Sequence, residues 1–168
     1  MAKLLRVLER EHCIGCYSCM QACSRTWFSA LTCEKAALRV RNYTGVEGAF
    51  SIRVCYGCPN PDCAAACQTG ALTARPGGGI TFDPKKCAKC GDCARACVPK
   101  ALQWDYEHNQ PIPCRQCGVC VQFCPNGVLG MIDPDAPVTE ATAKPAAVPA
   151  PTAAPAPAPA ATPTKEAR

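Results

Sequence analysis

Hydrophobic and polar residues alternate in several short runs along the chain, a period of two that predicts β-strands with one buried face. Turns rich in glycine separate the runs, so neighbouring runs are expected to pair as β-hairpins. The first predicted hairpin turns near Gly45 and Gly48, and the second turns through RPGGG at 75–79. The runs are LRVRNY paired with FSIRV, LTA paired with ITF, and LQWDY as a further strand.

A helix is predicted in the longer segment 24–37, with Trp27, Phe28 and Leu31 on its inward face. Nowhere do about 18 apolar residues run together, so no membrane span is predicted. The first ten residues are interrupted by charges and contain no apolar run of the length found in signal peptides. We therefore expect a cytoplasmic protein.

The composition changes at about Pro134. Residues 134–168 are mostly alanine and proline, with few charges and no aromatic residue. Such a segment cannot bury enough apolar surface to fold alone, and Ala-Pro repeats favour extended polyproline II conformers. The chain is therefore predicted to comprise a folded domain over 1–133 and a disordered tail over 134–168.

Cysteine dominates the composition, with 17 among 168 residues. A reducing compartment would keep these thiols free for metal. Sixteen of the cysteines form four motifs. Motifs 1, 3 and 4 share intervals of two, two and three residues, whereas motif 2 has four residues before its third cysteine. The motifs are Cys13, Cys16, Cys19 and Cys23; Cys55, Cys58, Cys63 and Cys67; Cys87, Cys90, Cys93 and Cys97; and Cys114, Cys117, Cys120 and Cys124.

The residues around the motifs repeat as well. RVLEREHC and ITFDPKKC each lead from a β-rich run through an acidic residue and a polar turn into the first cysteine. After the fourth cysteine, QTGAL, VPKAL and PNGVL each predict a turn that leads to a small apolar residue and leucine. Each motif is thus predicted to be a strand, a cysteine loop and a short helical turn, duplicated from one small unit.

This spacing favours iron–sulfur clusters. Cysteines at i, i+3 and i+6 can wrap a loop around a four-iron cubane, and in two-cluster ferredoxins the fourth cysteine binds the other cluster. Gly91 and Gly118 follow the second cysteine of their motifs, where unusual backbone angles and N–H groups aimed at sulfur are expected. Pro125 completes the familiar Cys-Pro ending. Structural zinc sites use pairs of cysteines, which would not explain the ordered third and fourth cysteines.

Sixteen ligands predict four [4Fe-4S] clusters, arranged in adjacent pairs because ligands cross between motifs. The spacing permits motif 2 to partner motif 3 and motif 1 to partner motif 4, and it also permits motifs 1 with 2 and 3 with 4. Cys33 stands outside every motif and is expected to be a small buried apolar residue. His12, beside Cys13, is interpreted as a surface residue that could hydrogen-bond to a cluster.

The formal charge of +5 counts every cysteine as a neutral thiol. Four clusters with their thiolates would shift this charge by about −8, so the basic balance does not indicate nucleic-acid binding. No pattern for a phosphate loop, a nucleophile or a flavin site occurs, and every cluster iron would have a protein ligand. The chain is therefore predicted to pass electrons without being a catalyst itself.

The four-motif layout from Cys13 to Cys124, including CYGCPNPDC in motif 2, resembles the electron-transfer subunits of the dimethyl sulfoxide reductase type. PIPCRQCGVCVQFCPNGVL and the short linkers look like the small iron–sulfur subunit of tungsten-dependent aldehyde oxidoreductases. The resemblance covers about the first 132 residues. It implies an α+β fold of two fused bacterial-ferredoxin-like subdomains, with short β-hairpins and short helices around the clusters.

The resemblance also implies a nested set of four ligand groups. Site 1 would comprise Cys13, Cys16, Cys19 and Cys124; site 2, Cys23, Cys114, Cys117 and Cys120; site 3, Cys55, Cys58, Cys63 and Cys97; and site 4, Cys67, Cys87, Cys90 and Cys93. In such subunits the clusters line up as a wire between a tungsten or molybdenum pterin site in one partner and a flavin or quinone site in another.

Two functions follow. The first is a dedicated subunit that relays single electrons between a tungsten or molybdenum pterin oxidoreductase and a flavoprotein that reduces NAD. The second is a free, diffusible polyferredoxin that serves several enzymes. A colourless, zinc-stapled interaction module would be a third class. A row of clusters exposed at both ends would also let copies of the chain stack into a longer wire.

Positive charges surround motif 3, and they favour a reduced cluster. We predict that replacing Lys86 and Lys89 together with glutamine lowers the midpoint potential of the cluster served by this motif. An anaerobic redox titration followed by EPR measures the effect, and unchanged midpoints would contradict the prediction.

Overall fold

The structure, a computed structural model, describes residues 3–42 and 49–133. The predicted turn at Gly45 and Gly48 and the predicted tail over 134–168 lie outside these residues. The prediction of an α+β, ferredoxin-like fold is confirmed, because the described part consists of short helices and small antiparallel strand pairs. The division into a domain and a tail stays a prediction.

Strands in the described residues pair into two-stranded antiparallel sheets: β1 with β8, β2 with β3, β4 with β5, and β6 with β7. Three of these pairs are hairpins between strands that are neighbours in sequence. The bounds are β1 Leu4–Val7, β2 Arg39–Asn42, β3 Phe50–Arg53, β4 Leu72–Ala74, β5 Ile80–Phe82, β6 Gln103–Asp105, β7 Gln110–Ile112 and β8 Leu129–Ile132. The two predicted hairpins and the strand in LQWDY are confirmed.

Helices follow the second cysteine of each motif. Single turns of 3₁₀ helix, Arg10–His12 and Pro84–Lys86, lead into motifs 1 and 3, as the repeat predicts. None of the helices in the described ranges has the length and apolar character needed to cross a membrane. The bounds are α1 Ser18–Phe28, α2 Asp62–Ala65, α3 Asp92–Ala96 and α4 Val119–Gln122.

The helix predicted within the segment 24–37 is found there only in part, because only the last five residues of α1 lie in this segment. Helix α1 begins at Ser18, inside motif 1, and buries Cys19, Met20 and Cys23 on its inner face. It ends at Phe28 because Ser29 takes a left-handed conformation with φ 52°.

The inward face predicted for that helix is also partly wrong, because the chain leaves the helix before Leu31. The Ser24 hydroxyl donates to Ala30 O at 2.7 Å and accepts from Thr32 N at 3.2 Å, which turns the chain away from the helix axis. Leu31 is consequently 70% exposed and Phe28 37% exposed, whereas Trp27 packs against the core as predicted.

The first and last strands of the described part form a pair that the sequence patterns do not indicate. In this pair Leu4 lies opposite Ile132 and Val7 opposite Leu129. The two strands are separated by most of the chain, so no turn between them identifies the pairing. The pair brings motif 4 next to motif 1, and α4 packs against α1.

Two hydrophobic clusters lie beneath these elements. The larger one includes Leu5, Met20, Leu38 and Val54. All cysteines of motifs 1 and 4 except the exposed Cys16 and Cys117 pack within it or against it. The smaller one consists of Leu72, Ile80 and Cys93, with further cysteines of motif 2 packed at its edge. Nine of the sixteen motif cysteines therefore lie inside or beside these two cores.

RPGGG forms the predicted turn, closed by a hydrogen bond from Gly78 N to Arg75 O at 3.0 Å. The turn packs against motif 2 so closely that a Cβ on Gly78 would lie 2.4 Å from Gly57 O. Gly79 N donates to Cys58 O at 3.2 Å. Glycine is thus required here by space as well as by the positive φ of 97° at Gly78.

Gly78→Ala is predicted to destabilise the fold more than Gly70→Ala does. Both residues have positive φ, so each alanine costs about 1–2 kcal/mol of backbone strain. Only the Cβ of alanine at position 78 would also collide with a backbone oxygen, that of Gly57, which adds about 1–3 kcal/mol of overpacking. Nothing lies within 4 Å of a Cβ at Gly70. Anaerobic thermal unfolding of the two variants compares them, and equal losses of stability would contradict the packing argument.

Candidate iron–sulfur cluster sites

The four cysteine motifs share one backbone turn between their first and second cysteines. The residue just before the second cysteine has a left-handed conformation in every motif: φ is 66° at Gly15, 60° at Gly57, 61° at Lys89 and 54° at Gln116. This turn lets two cysteines three residues apart point into the same loop. Glycine supplies the conformation in motifs 1 and 2, whereas lysine and glutamine adopt it in motifs 3 and 4 despite their Cβ atoms.

A second left-handed residue follows the second cysteine in three motifs. The unusual backbone predicted at Gly91 and Gly118 is confirmed, with φ 79° and 75°. Tyr17 takes the same conformation in motif 1, with φ 58°. Each of the three residues is the N-cap of a helix that carries the third cysteine of its motif. The helix thereby orients the third cysteine relative to the first two.

Backbone N–H groups point at several of the thiols, as expected for sulfur ligands of a metal cluster. Two of these N–H groups belong to the left-handed residue between the first two cysteines of a motif. The other three belong to residues that follow the fourth cysteine of a motif. The repeated turns QTGAL and PNGVL therefore serve to aim an amide at sulfur. The pairs are Ala37 to Cys23 at 3.4 Å, Leu72 to Cys67 at 3.4 Å, Lys89 to Cys87 at 3.4 Å, Gln116 to Cys114 at 3.5 Å and Val128 to Cys124 at 3.3 Å.

The thiols of motifs 1 and 4 interleave. Burial raises the pKa of the Cys19 thiol to about 12, and the nearby thiols of Cys124, Cys16 and Cys13 contribute to the rise. These are the four cysteines of site 1. Burial likewise raises the pKa of Cys120, whose thiol neighbours include the other three cysteines of site 2. The fold therefore brings together the two groups that the resemblance implies for motifs 1 and 4.

Motifs 2 and 3 interleave in the same manner. Burial raises the pKa of Cys63 to about 11, with Cys97 and Cys55 as further causes. The pKa of Cys55 is raised by burial and, in smaller part, by Cys58 and Cys97. These thiols are those of site 3. At site 4, burial raises the pKa of Cys93 to about 11, and its thiol neighbours are Cys67, Cys87 and Cys90.

Three of the four cysteine groups each line a cavity. One is lined by the four cysteines of site 1, together with Val40, Ile52 and Leu129. A second is lined by the four cysteines of site 2, with Leu5 and Trp27. A third is lined by the four cysteines of site 4. The thiols thus face shared, largely apolar spaces.

The thiols do not lie as close together as a single tetrahedral zinc ion requires. Tetrahedral zinc with bonds of about 2.3 Å requires sulfurs about 3.8 Å apart. Within the described ranges, which contain all 17 cysteines, no group of three or more cysteines has all its sulfurs within 4.8 Å of one another. A cubane, whose four thiolates bind four different irons, holds its sulfurs farther apart. The four groups of thiols, three of which each line a cavity, therefore fit iron–sulfur clusters.

Neighbouring groups also lie within electrostatic range of one another. Cys19 of site 1 is among the thiol neighbours of Cys120 in site 2. Cys55 of site 3 is a neighbour of Cys114 in site 2, whose pKa burial raises to about 12. Sites 3 and 4 both draw on motifs 2 and 3, and helices α2 and α3 of these motifs pack together. The groups therefore follow one another in the order 1, 2, 3, 4.

Three of the motif cysteines are exposed. Cys16 of site 1, Cys117 of site 2 and Cys90 of site 4 are exposed, and the remaining cysteines of the motifs are half-buried or buried. Each exposed thiol is the second cysteine of its motif. Both ends of the row, sites 1 and 4, therefore have a cysteine at the surface.

Cys33 and His12 lie outside these groups. Cys33 is half-buried and packs against the larger core, while its carbonyl accepts a hydrogen bond from Arg39 at 2.9 Å. His12 is exposed at the rim of the site 1 cavity, and its carbonyl accepts from Asn126 at 2.8 Å.

Two side chains that the sequence patterns do not single out support the second site. Gln116 is buried and bridges motif 4 to motif 2. The Arg115 guanidinium stacks over the Trp27 ring at 3.9 Å from its centroid, beside the cavity of site 2. The sequence shows only that Arg115 and Gln116 lie between Cys114 and Cys117. It does not show that their side chains contact residues distant in sequence.

Comparison with known proteins identifies several relatives, although no family profile matches the chain. Polyferredoxin protein MvhB of Methanothermobacter marburgensis is 33% identical over 124 residues, which cover 68% of this chain and 26% of that protein. The chain thus spans about a quarter of the length of that polyferredoxin. The B subunit of the anaerobic dimethyl sulfoxide reductase of Haemophilus influenzae is 26% identical over 159 residues, covering 81% of this chain and 75% of that subunit.

The polyferredoxin-like subunit of the aliphatic sulfonate oxidoreductase of Pyrococcus furiosus is 30% identical over 122 residues. The match covers 70% of this chain and 69% of that subunit. This chain therefore belongs to the family of polyferredoxin-like iron–sulfur subunits that transfer electrons in oxidoreductases.

Proposed function

We propose that this chain is the non-catalytic wire subunit of a cytoplasmic complex. It relays single electrons between a tungsten or molybdenum pterin oxidoreductase and a flavin-containing partner that uses NAD. The observation that carries the proposal is the arrangement of sixteen thiols in four groups that follow one another across the fold. An aldehyde-oxidising tungsten enzyme is the catalytic partner that we infer from the motifs.

The cysteines of sites 1 to 4 are proposed as the ligands of four [4Fe-4S] clusters, one cluster for each site. When bound, such clusters accept and release single electrons. The protein contributes low-dielectric surroundings and amide groups directed at sulfur, and these amides favour the reduced state of a cluster. Burial raises the pKa of at least one thiol in every site, including Cys19 in site 1 and Cys93 in site 4, so loading the sites must also displace protons from cysteines.

Exposed apolar side chains near site 1 support a docked partner. Ile14 is 63% exposed and Phe123 56% exposed, and each is adjacent in sequence to a cysteine of this site. Tyr17, next to the exposed Cys16, is also accessible. An apolar patch around an accessible ligand is the surface expected where a stable partner covers the end of a wire.

The opposite end has a different surface. Lys85, Lys86 and Lys89 are exposed around site 4. A basic surface at one end and an apolar surface at the other favour two different partners over one partner that binds at either end. The names of two relatives, a subunit of dimethyl sulfoxide reductase and a subunit of a sulfonate oxidoreductase, also support a place in a multi-subunit oxidoreductase.

We predict that Cys90→Ala removes iron from the protein, whereas Cys33→Ala does not. Cys90 is an exposed member of site 4, so its replacement leaves the hydrophobic core intact. Cys33 is half-buried outside the motifs, so its replacement tests for a general effect of losing a thiol. Iron and sulfide analysis after anaerobic purification measures the difference. Equal iron contents in the two variants would contradict the assignment of site 4.

The function is tested by purifying the tagged chain anaerobically from its native host and analysing the elements in the product. About 16 irons per chain with similar sulfide, together with copurifying tungsten or molybdenum, is the expected result. Iron without tungsten or molybdenum would favour the diffusible polyferredoxin. Zinc in place of iron would overturn the proposal and favour the interaction module.

A further inference from the structure

Gln116 adopts a conformation that glutamine does not favour. It occupies the left-handed position before the second cysteine of motif 4, with φ 54°. Glycine takes the equivalent position in motifs 1 and 2, at Gly15 and Gly57, and there it meets no Cβ penalty. A side chain at such a position carries a conformational cost. Lys89 carries it with an exposed side chain, whereas Gln116 makes buried contacts that offset it.

The Gln116 side chain is buried, 9% exposed, and both ends of its amide are used. Its Oε1 accepts a hydrogen bond from Leu5 N at 2.7 Å, in strand β1. Its Nε2 donates to Cys55 O at 2.9 Å, in motif 2. One amide therefore connects motif 4 to a strand of the larger core and to the first cysteine of another motif.

The packing around this amide leaves little freedom. A Cβ on Gly57 would lie 3.5 Å from Gln116 Nε2, and a Cβ on Gly79 would lie 3.8 Å from Gln116 Cγ. The glutamine thus fills a slot walled by the glycines of motif 2 and of the RPGGG turn. Both the slot and its two hydrogen-bond partners hold the side chain in one orientation.

The bridge joins the middle of the row of sites. Gln116 lies between Cys114 and Cys117 of site 2, and its backbone N–H donates to Cys114 Sγ at 3.5 Å. Its amide reaches Cys55 of site 3, and the Cys55 and Cys114 thiols are electrostatic neighbours. Sites 1 and 2 share motifs 1 and 4, and sites 3 and 4 share motifs 2 and 3, so only the junction between sites 2 and 3 has no motif in common.

We infer that Gln116 is the positioning residue that sets the separation between the second and third cluster sites. The inference rests on the proposed function, because the separation matters only when clusters occupy both sites. Electron tunnelling falls steeply with distance, so the junction between the two halves is the step most sensitive to a small displacement. The Gln116 amide belongs to the ligand loop of site 2 and hydrogen-bonds to the backbone of a ligand loop of site 3. This hydrogen bond limits movement of one site relative to the other.

The test compares Gln116→Gly and Gln116→Met with a matched control, Lys89→Gly, in the full-length, cluster-loaded protein. Lys89 has the equivalent backbone position, with φ 61° and an N–H that donates to Cys87 Sγ at 3.4 Å, but its side chain is exposed. Gln116→Gly keeps the backbone and removes the bridge. Gln116→Met fills the slot without the amide.

Two measurements are made on each variant after anaerobic purification. The magnetic interaction between the reduced clusters of sites 2 and 3 is read by EPR. Hydrogen exchange at the Leu5 amide reports the bridge directly. In both Gln116 variants we expect a loss of the interaction and about tenfold faster exchange at Leu5, whereas Lys89→Gly leaves both unchanged.

Loss of iron from sites 2 and 3 alone, with sites 1 and 4 still loaded, would also support the inference. An unchanged interaction in Gln116→Met would overturn it, as would loss of all four clusters from both Gln116 variants. Failure of the proposed function is seen separately, as a wild-type protein that contains no iron. The exchange rate at Leu5 still reports the hydrogen bond in that case.

Discussion

The structure depends on one geometric requirement: the fourth cysteine of each motif lies beside the first three cysteines of another motif. Cys124 joins the first three cysteines of motif 1, and Cys67 joins those of motif 3. No motif can complete its own group, so the chain has to bring distant segments together before any group exists. The β1–β8 pair and the contact of α1 with α4 satisfy this requirement for motifs 1 and 4. The small sheets are otherwise too short to be stable alone.

The same requirement explains the composition of the cores. Cysteines take positions that leucine or valine would occupy in an ordinary domain of this size, and they line the cores beside a small number of aliphatic residues. Burial raises the pKa of thiols such as Cys19 and Cys63, so these cysteines are neutral, apolar side chains in an empty group. Occupation by a cluster would exchange protons for iron and turn a loosely packed core into a cross-linked one.

Sequence patterns predict those parts of the fold that are governed locally. The hairpins, the turn at RPGGG and the left-handed conformations of Gly91 and Gly118 follow from neighbouring residues and are found in the structure. The bounds of the helix in motif 1 do not follow from the pattern, because Tyr17 and Ser29, which are not glycines, take the conformations that begin and end it. Strand β8 and the Gln116 bridge cannot be predicted from local patterns. Each depends on a partner in strand β1, more than 100 residues away in the sequence.

The order of the motifs along the chain has a consequence for biosynthesis. The inner motifs, 2 and 3, are both complete once Cys97 has been synthesised. The first three thiols of motif 1 lack the fourth member of their group until Cys124 has been synthesised, near the far end of the described residues. Strand β1 likewise has no partner until Leu129–Ile132 has left the ribosome. A chain that folds as it is synthesised would assemble its central half first and close its first-made segment last, leaving the earliest thiols exposed to oxidants for the longest time.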